Sequence, residues 1–259
     1  MANSKYEYVK SFEVVDKLLP NTWIVVRIDG RNFHRFSAEN EFEKPNDVQA
    51  LNLMNSCAVA MLEEFPDIIF SYGVSDEYSF VFKRTSQFYE RRSSKILSIT
   101  VSFFTANYVM KWKDFFPQKD MRLVPSFDGR VVCYPSNENL RHYWAWRQVD
   151  CHINNQYNTC FWMLVLNKGK TKKEAQDILK GTQTQDKNEL LFQQFGMNYS
   201  NLPAIFRKGS CVFKNKVEEI VKHTESGDPV KRLRKKVVVS HCDVIEDRFW
   251  KDHPWILDE

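Results

Sequence analysis

Ser71-Tyr72-Gly73-Val74-Ser75-Asp76-Glu77-Tyr78-Ser79-Phe80 is the stretch on which the fold turns. Apolar runs from Asp67 to Val74 and from Tyr78 to Phe82 flank Ser75-Asp76-Glu77. Runs of β-branched and aromatic residues split by a few turn residues predict a hairpin. Its tip carries two adjacent carboxylates, and neighbours on an extended chain point to opposite sides. One acid can therefore face a metal while the other faces elsewhere. A second run, Ile24-Val25-Val26-Arg27-Ile28-Asp29-Gly30, ends on an acid followed by glycine, where a backbone can turn sharply or approach a ligand closely. If the two runs are neighbouring strands, Asp29 and Asp76 converge on one cation pair, the arrangement that two-metal phosphoryl transfer requires. Asp, Glu and Asp-Gly are also ordinary turn residues. Taken alone, the residues leave a metal-dependent nucleotidyl transfer site and a solvated turn both open.

Outward from the hairpin, the apolar spacing of Val9, Phe12, Val15 and Leu18-Leu19 predicts a helix over Tyr6 to Leu19, ended by Pro20. Thr22 to Ile28 reads as a strand, and Gly30 to His34 as a turn with backbone N–H groups free for an anion. Asn46-Asp47 offers the cap of a helix from Val48 to Glu64 that Pro66 stops. Ser86 to Phe116 reads as one long helical region and Val131 to Tyr134 as a further strand. Strand, helix, strand, strand, helix, strand is the order of a ferredoxin-like sheet with helices on one face, which polymerase palms and nucleotide cyclases share. The fold class is thus α+β, a palm-like antiparallel sheet followed by a mainly helical C-terminal extension. Residues 1–135 form the catalytic part, and residues 136–259 a region packed on it that contributes to RNA binding. In that second part, Asn137 to Leu166 and Gln185 to Phe195 read as helices, and Thr171-Lys172-Lys173-Glu174 as a capping box. Gly209 to Val221 and Lys235 to Val239 are strand-like, with a loop at Gly227-Asp228-Pro229.

Apolar content of 43% and charged content of 27% over 259 residues are those of a soluble globular chain. The 20 Phe and 7 Trp are ascribed mainly to core packing, although rings also stack on bases. A net charge of +4 is mild, but basic clusters at Arg91-Arg92 with Lys95, Lys168 to Lys173, Arg207-Lys208 and Lys231 to Lys236 together favour a polyanionic partner. The 6 cysteines show no CxxC pair, which argues against structural zinc, and no run is apolar enough to span a bilayer. The expected compartment is the reducing cytoplasm, with nucleus and mitochondria left open.

Arg27-Ile28-Asp29-Gly30-Arg31-Asn32-Phe33-His34, Ser75 to Phe80, Phe127-Asp128-Gly129-Arg130 and His152-Ile153-Asn154-Asn155 resemble the tRNA(His) guanylyltransferase family. Trp146-Arg147-Gln148 and Asp186-Lys187-Asn188-Glu189 fit the same family, and the resemblance runs from Met1 to about Ser210. It implies 3′-5′ addition of one guanylate to the 5′ end of tRNA(His): ATP adenylylates the 5′-phosphate, the GTP 3′-hydroxyl attacks, and pyrophosphate is removed. It also implies a homotetramer, a dimer of dimers. Carried over by residue, Asp29, Asp76 and Glu77 are the catalytic carboxylates. Asp29 and Asp76 with the Gly30 carbonyl hold two Mg²⁺ ions. Asp29, Gly30, Arg31, Asn32, Phe33, His34, Lys44, Ser75 and Asp76 bind the nucleotide. Arg92, Lys95, Arg130, His152, Asn155, Lys187 and Asn198 are the candidate tRNA contacts. A GTP-using cyclase suits the same hairpin but gives no reason for the long helical half, and a non-catalytic tRNA-binding protein suits the same surface.

Overall fold

The computed structural model describes residues 4–223 and 229–258. Strand β1 (Trp23–Gly30) is followed by helices α1 (Phe33–Glu39) and α2 (Val48–Glu64). The hairpin strands β2 (Ile68–Val74) and β3 (Glu77–Phe82) come next, then α3 (Ser93–Met110), α4 (Trp112–Phe115) and β4 (Phe127–Tyr134). β1 lies between β3 and β4, and every pairing is antiparallel, which gives the spatial order β4-β1-β3-β2. This is the expected palm-like arrangement. α2 begins where Asp47 accepts from the N–H groups of Gln49 and Ala50, at 2.9 and 3.0 Å. Leu53, Met54, Cys57, Ala58, Met61 and Leu62 recur at helical spacing and turn its apolar face to the sheet. There they join Ile24, Val26, Ile28, Phe80 and Phe82 from the strands and Ile96 and Phe104 from α3. Tyr78 lies across Gly73, where a Cβ would meet the ring at 2.1 Å, and donates to Asn55 Oδ1 at 2.9 Å. The hairpin is thereby fastened to α2.

The second half of the chain begins with α5 (Asn137–Lys168), followed by α6 (Lys172–Leu179), α7 (Thr184–Phe195) and α8 (Ala204–Lys208). Strands β5 (Ser210–His223) and β6 (Pro229–Ser240) and helix α9 (Asp247–Asp252) complete it. The capping box at Thr171 and Glu174 is formed. β5 pairs with β2, so the sheet has six strands in the order β4-β1-β3-β2-β5-β6. Gly227-Asp228 lie outside the described residues. The sheet's second face is covered too, by Leu140, Tyr143 and Trp144 of α5 and by Phe249, Trp250 and Ile256. Gln148 joins the layers: its amide donates to the carbonyls of Lys208 and Cys242 and accepts from the N–H of Val244.

Three expectations change. The stretch from Tyr6 to Leu19 is no amphipathic helix: only Glu7–Phe12 forms a 3₁₀ turn, and Val9, Phe12, Val15 and Leu19 are exposed. It attaches instead by backbone bonds, with the Leu18 N–H donating to Arg91 O and the Ser93 N–H to Asp16 O. Ser86 to Phe116 is not one helix, because Tyr89, Glu90 and Arg91 take φ of 45°, 55° and 62° before α3 starts. The cause is Arg91, whose buried guanidinium donates to the carbonyls of Arg84, Ser86, Leu19 and Thr22 and so fixes a loop there. Helices on a single face likewise gives way to a sheet with an apolar core packed against each face.

Replacing Phe213 by Ala, in the core that β5 completes, is expected to cost about 3–5 kcal/mol in urea unfolding. Phe12→Ala should stay within about 0.5 kcal/mol. Equal losses would mean that the N-terminal stretch packs after all.

Candidate active site

The site forms where β1 ends against the hairpin tip. The Gly30 N–H donates to the Asp76 carbonyl at 3.1 Å, and a Cβ at Gly30 would meet the Phe33 ring at 2.4 Å and the Asp76 Cβ at 3.0 Å. Only glycine allows that approach. Register then sets the neighbours: Asp29 stands directly between Glu77 of β3 and Asp128 of β4. Ser75 opens the hairpin turn with φ 54° and so places Asp76 beside Gly30. The Gly30–His34 turn is less open to an anion than its sequence suggests. Gly30 donates to Asp76 and the Arg31 N–H donates to Ser126 O at 2.8 Å.

A cavity of about 410 Å³ opens beside the hairpin tip, within the range of ligand sites. Phe33, His34, Lys44, Ser75 and Asp76 line it together with Tyr157, Phe161 and Trp162 of α5. Phe33 is also packed against Phe36, Tyr108 and Phe127, so its ring is part of the wall as well as of the core. Lys44 donates to Ser37 Oγ at 3.1 Å, and its ammonium stands 5.8 Å from the Trp162 ring. Burial lowers the Lys44 pKa, an effect that Asp47 and Asp76 oppose.

The three acids have different surroundings. Burial raises the Asp76 carboxyl to about 6, with the Asp29 and Glu77 charges adding to the rise. Asp29 is raised by burial and by the charge of Asp128. Glu77 faces away from the cavity: Arg147 Nη1 donates to both its oxygens at 3.1 and 3.0 Å, and Arg27 Nε lies 3.6 Å away. Burial still raises the Glu77 carboxyl above its ordinary value, against the pull of Arg147. In this arrangement Glu77 is the fixed partner of two guanidinium groups. Asp29 and Asp76 have no ion-pair partner among the described residues.

No cluster of three or more His, Cys, Asp or Glu side chains placed to hold a metal occurs among the described residues. Mg²⁺ does not need one, because it is commonly held by one or two carboxylates with substrate phosphates and water completing its shell. Asp29 and Asp76, both raised chiefly by burial and the second on the wall of a lysine-bearing cavity, fit such a cation. They do not make an all-protein cage.

The candidate RNA contacts divide. Arg92 and Lys95 are exposed at the start of α3, Arg130 is exposed on β4, and Asn198 is exposed while its side chain accepts from Ser200 N at 2.9 Å. His152 is half-buried, and burial lowers its pKa. Asn155 is buried, accepting from Asn46 Nδ2 and donating to the Tyr199 hydroxyl, both at 2.9 Å. Lys187 is buried, its ammonium donating to Thr182 O at 2.8 Å. Asn155 thus ties α5 to Asn46 and to the turn at Tyr199, and Lys187 is used on the loop just before its own helix, so both polar groups are taken up inside the chain. Arg27, Asp128, Tyr157 and Trp162 were missed by the sequence reading. Arg27 was detectable as the alternate residue to Asp29 on one strand face, whereas the α5 aromatics enter the cavity through long-range packing alone.

The profile of the tRNAHis guanylyltransferase family matches residues 6–135, and that of the Thg1 C terminal domain matches residues 138–246. The chain is 64% identical over 260 residues to tRNA(His) guanylyltransferase 1 of Arabidopsis thaliana, covering 100% of this chain and 46% of that protein. It thus spans about half the length of this relative. The crystal structure of the Saccharomyces cerevisiae tRNA(His) guanylyltransferase superposes with TM-score 0.78 at 47% identity, covering 81% of this chain and 93% of that one. A bacterial tRNA(His) guanylyltransferase-like protein in complex with ATP superposes with TM-score 0.76 at 21% identity over 98% and 99% of the two chains, which shows a shared fold.

Asp76 supplies a pH test. Its folded pKa of about 6 stands above the ordinary 3.8, so the folded chain holds this proton more tightly. The stability it contributes is complete below the unfolded value and is lost as pH rises through the folded one. Asp76→Asn is therefore expected to stabilise the chain by up to about 3 kcal/mol near neutral pH and to change little near the unfolded pKa. Urea midpoints measured at both ends decide it. A stability difference that is constant across the range would contradict the assignment.

Proposed function

The chain belongs to the tRNA(His) guanylyltransferase family, and from that membership we propose that it is a nucleotidyltransferase adding one guanylate to the 5′ end of tRNA(His). The observation that carries the chemistry is the juxtaposition of Asp29 and Asp76, whose backbones are joined where the Gly30 N–H donates to the Asp76 carbonyl, with Asp76 on the wall of a cavity that also holds Lys44. ATP and GTP are the proposed substrates, in keeping with the ATP complex of the bacterial protein of the same fold. In the proposed sequence, ATP adenylylates the 5′-phosphate of the RNA, the 3′-hydroxyl of GTP displaces AMP, and pyrophosphate is removed.

Asp29, Asp76 and the Gly30 carbonyl would hold two Mg²⁺ ions, which when bound lower the pKa of an attacking hydroxyl and neutralise charge on the triphosphate. Lys44 adds a fixed positive charge on the cavity wall, and Tyr157, Phe161 and Trp162 offer rings against which a base can pack. Glu77 acts on position: bound to Arg147 and Arg27, it fixes the strand on which Asp29's neighbour sits. Arg92, Lys95, Arg130, His152 and Asn198 remain the proposed RNA contacts, because four of these candidates are exposed and His152 is only half-buried. A homotetramer, a dimer of dimers, and a cytoplasmic compartment, with nucleus and mitochondria open, are proposed with it. Residues 1–135 are proposed as the catalytic part and residues 136–259 as a region packed on it that contributes to RNA binding. Among the described residues no helix is long and apolar enough to cross a membrane.

The test is a labelled-phosphate assay on 5′-monophosphorylated tRNA(His) with ATP, GTP and Mg²⁺. Asp29→Ala and Asp76→Ala are each expected to lower the rate at least ~10²–10³-fold, the scale of lost preorganised charge stabilisation. Folding and RNA binding should survive. Full turnover by either variant, or a cyclic dinucleotide formed from GTP alone, would contradict the proposal.

A further inference from the structure

The sheet face that bears Asp29 is open along its outer strand. On β4, Asp128, Arg130 and Val132 point outward and are all exposed, while Phe127, Gly129 and Val131 on the other side of the strand are buried or half-buried. α5 borders this open strip and presents Trp146, whose side chain is 50% exposed. The indole is firmly held nonetheless. The Arg147 guanidinium lies 3.5 Å from its ring centroid, the Arg27 guanidinium 5.9 Å, and Tyr143 meets it edge-on at 6.0 Å. Arg147 is in turn fixed by Glu77, which stands directly opposite Asp29. A large ring held by two guanidinium groups and an aromatic edge, half-exposed, and linked through one ion pair to Glu77 beside Asp29 has the form of a stacking platform.

We propose that Trp146 stacks on the base of the 5′-terminal nucleotide of the RNA and that Arg130 takes an adjacent phosphate, so that the reacting end is delivered to Asp29. This rests on the function proposed above. Two reactants must meet at the carboxylates. The cavity beside Asp76 suits a nucleoside triphosphate, and Phe33, Lys44 and the hairpin tip wall it in. The strip over β4 is the open approach on the Asp29 face, and Arg130, which has no ion-pair partner among the described residues, makes it attractive to a phosphate. Aromatic stacking tolerates any base, so it suits placing an end rather than reading a sequence. Phosphate contacts of this kind set register. Trp146 is a positioning residue and touches no reacting atom.

The experiment measures RNA and ATP dissociation constants of the full chain for wild type, W146A and W146F. The RNA is a 5′-monophosphorylated acceptor-stem hairpin, prepared also with an abasic 5′-terminal nucleotide. W146A is expected to weaken binding of the intact RNA roughly 5- to 150-fold, the range for loss of one stacked base, while ATP affinity holds. W146F should recover most of the loss. The abasic RNA should bind wild type more weakly by a similar factor and should cost W146A nothing further. Unchanged RNA affinity in W146A, or an abasic penalty that persists in it, overturns the proposal. So does a changed assembly state at unchanged RNA affinity, which would give the exposed indole, with Val149 and Ile153, to a second copy of the chain. A wild-type chain that binds no RNA overturns this proposal and the function beneath it. One that binds RNA with W146A indistinguishable from it overturns this proposal alone.

Discussion

One backbone hydrogen bond sets the geometry of the site. The Gly30 N–H reaches the Asp76 carbonyl at 3.1 Å, and the bond forms only because residue 30 has no side chain to collide with Phe33 and Asp76. It joins the end of a central strand to the tip of a hairpin 46 residues later. The long pairings follow in register from it: Asp29 meets Glu77 on one side and Asp128 on the other. A shift of one residue would turn every side chain of β1 to the other face. That would carry Ile24, Val26 and Ile28 out of the core together with Asp29 out of the site.

The same seam gathers negative charge, and the chain compensates only part of it. Glu77 receives two guanidinium groups. Among the described residues none lies within ion-pair distance of Asp29 or Asp76, although Arg27, Arg130 and Arg147 pull on Asp29 from farther away, and each acid has a raised pKa in which burial is the largest cause. Burying carboxylates without a partner is destabilising. Strain of this electrostatic kind is common at functional sites, where a ligand's charge completes the arrangement. Glu77 opens β3 and faces α5 and its arginine, whereas its neighbour Asp76 lies in the hairpin turn and lines the cavity. Adjacent acids thereby take separate work, one fixing position and the other left available for a cation.

The central sheet was legible because its signals are local. Asp47 caps α2 at once, Gly30 and Ser75 mark the turns, and β-branched runs between them predict β1 to β3. Asp29 and Asp76 were legible for the same reason, each closing or opening a strand. What was misread depends on partners distant in sequence. The spacing of Val9, Phe12 and Val15 is helical, yet all three are exposed and the stretch meets the core of the described residues only at Leu18. Arg91 looks like part of a basic surface cluster, but four carbonyls draw it inside and break the helix expected there. Asn155 and Lys187 look like RNA contacts until Asn46, Tyr199 and Thr182 take up their polar atoms. The open strip beside Trp146 follows from where α5 crosses the sheet, and spacing along the chain carries no signal of it.

The most direct measurement is a crystal structure of this chain with Mn²⁺ and a non-hydrolysable nucleoside triphosphate, with the metal located by its anomalous scattering. Mn²⁺ is expected against the carboxylates of Asp29 and Asp76, with the triphosphate in the Lys44 cavity. Metal and triphosphate bound elsewhere, with these two carboxylates untouched, would contradict it.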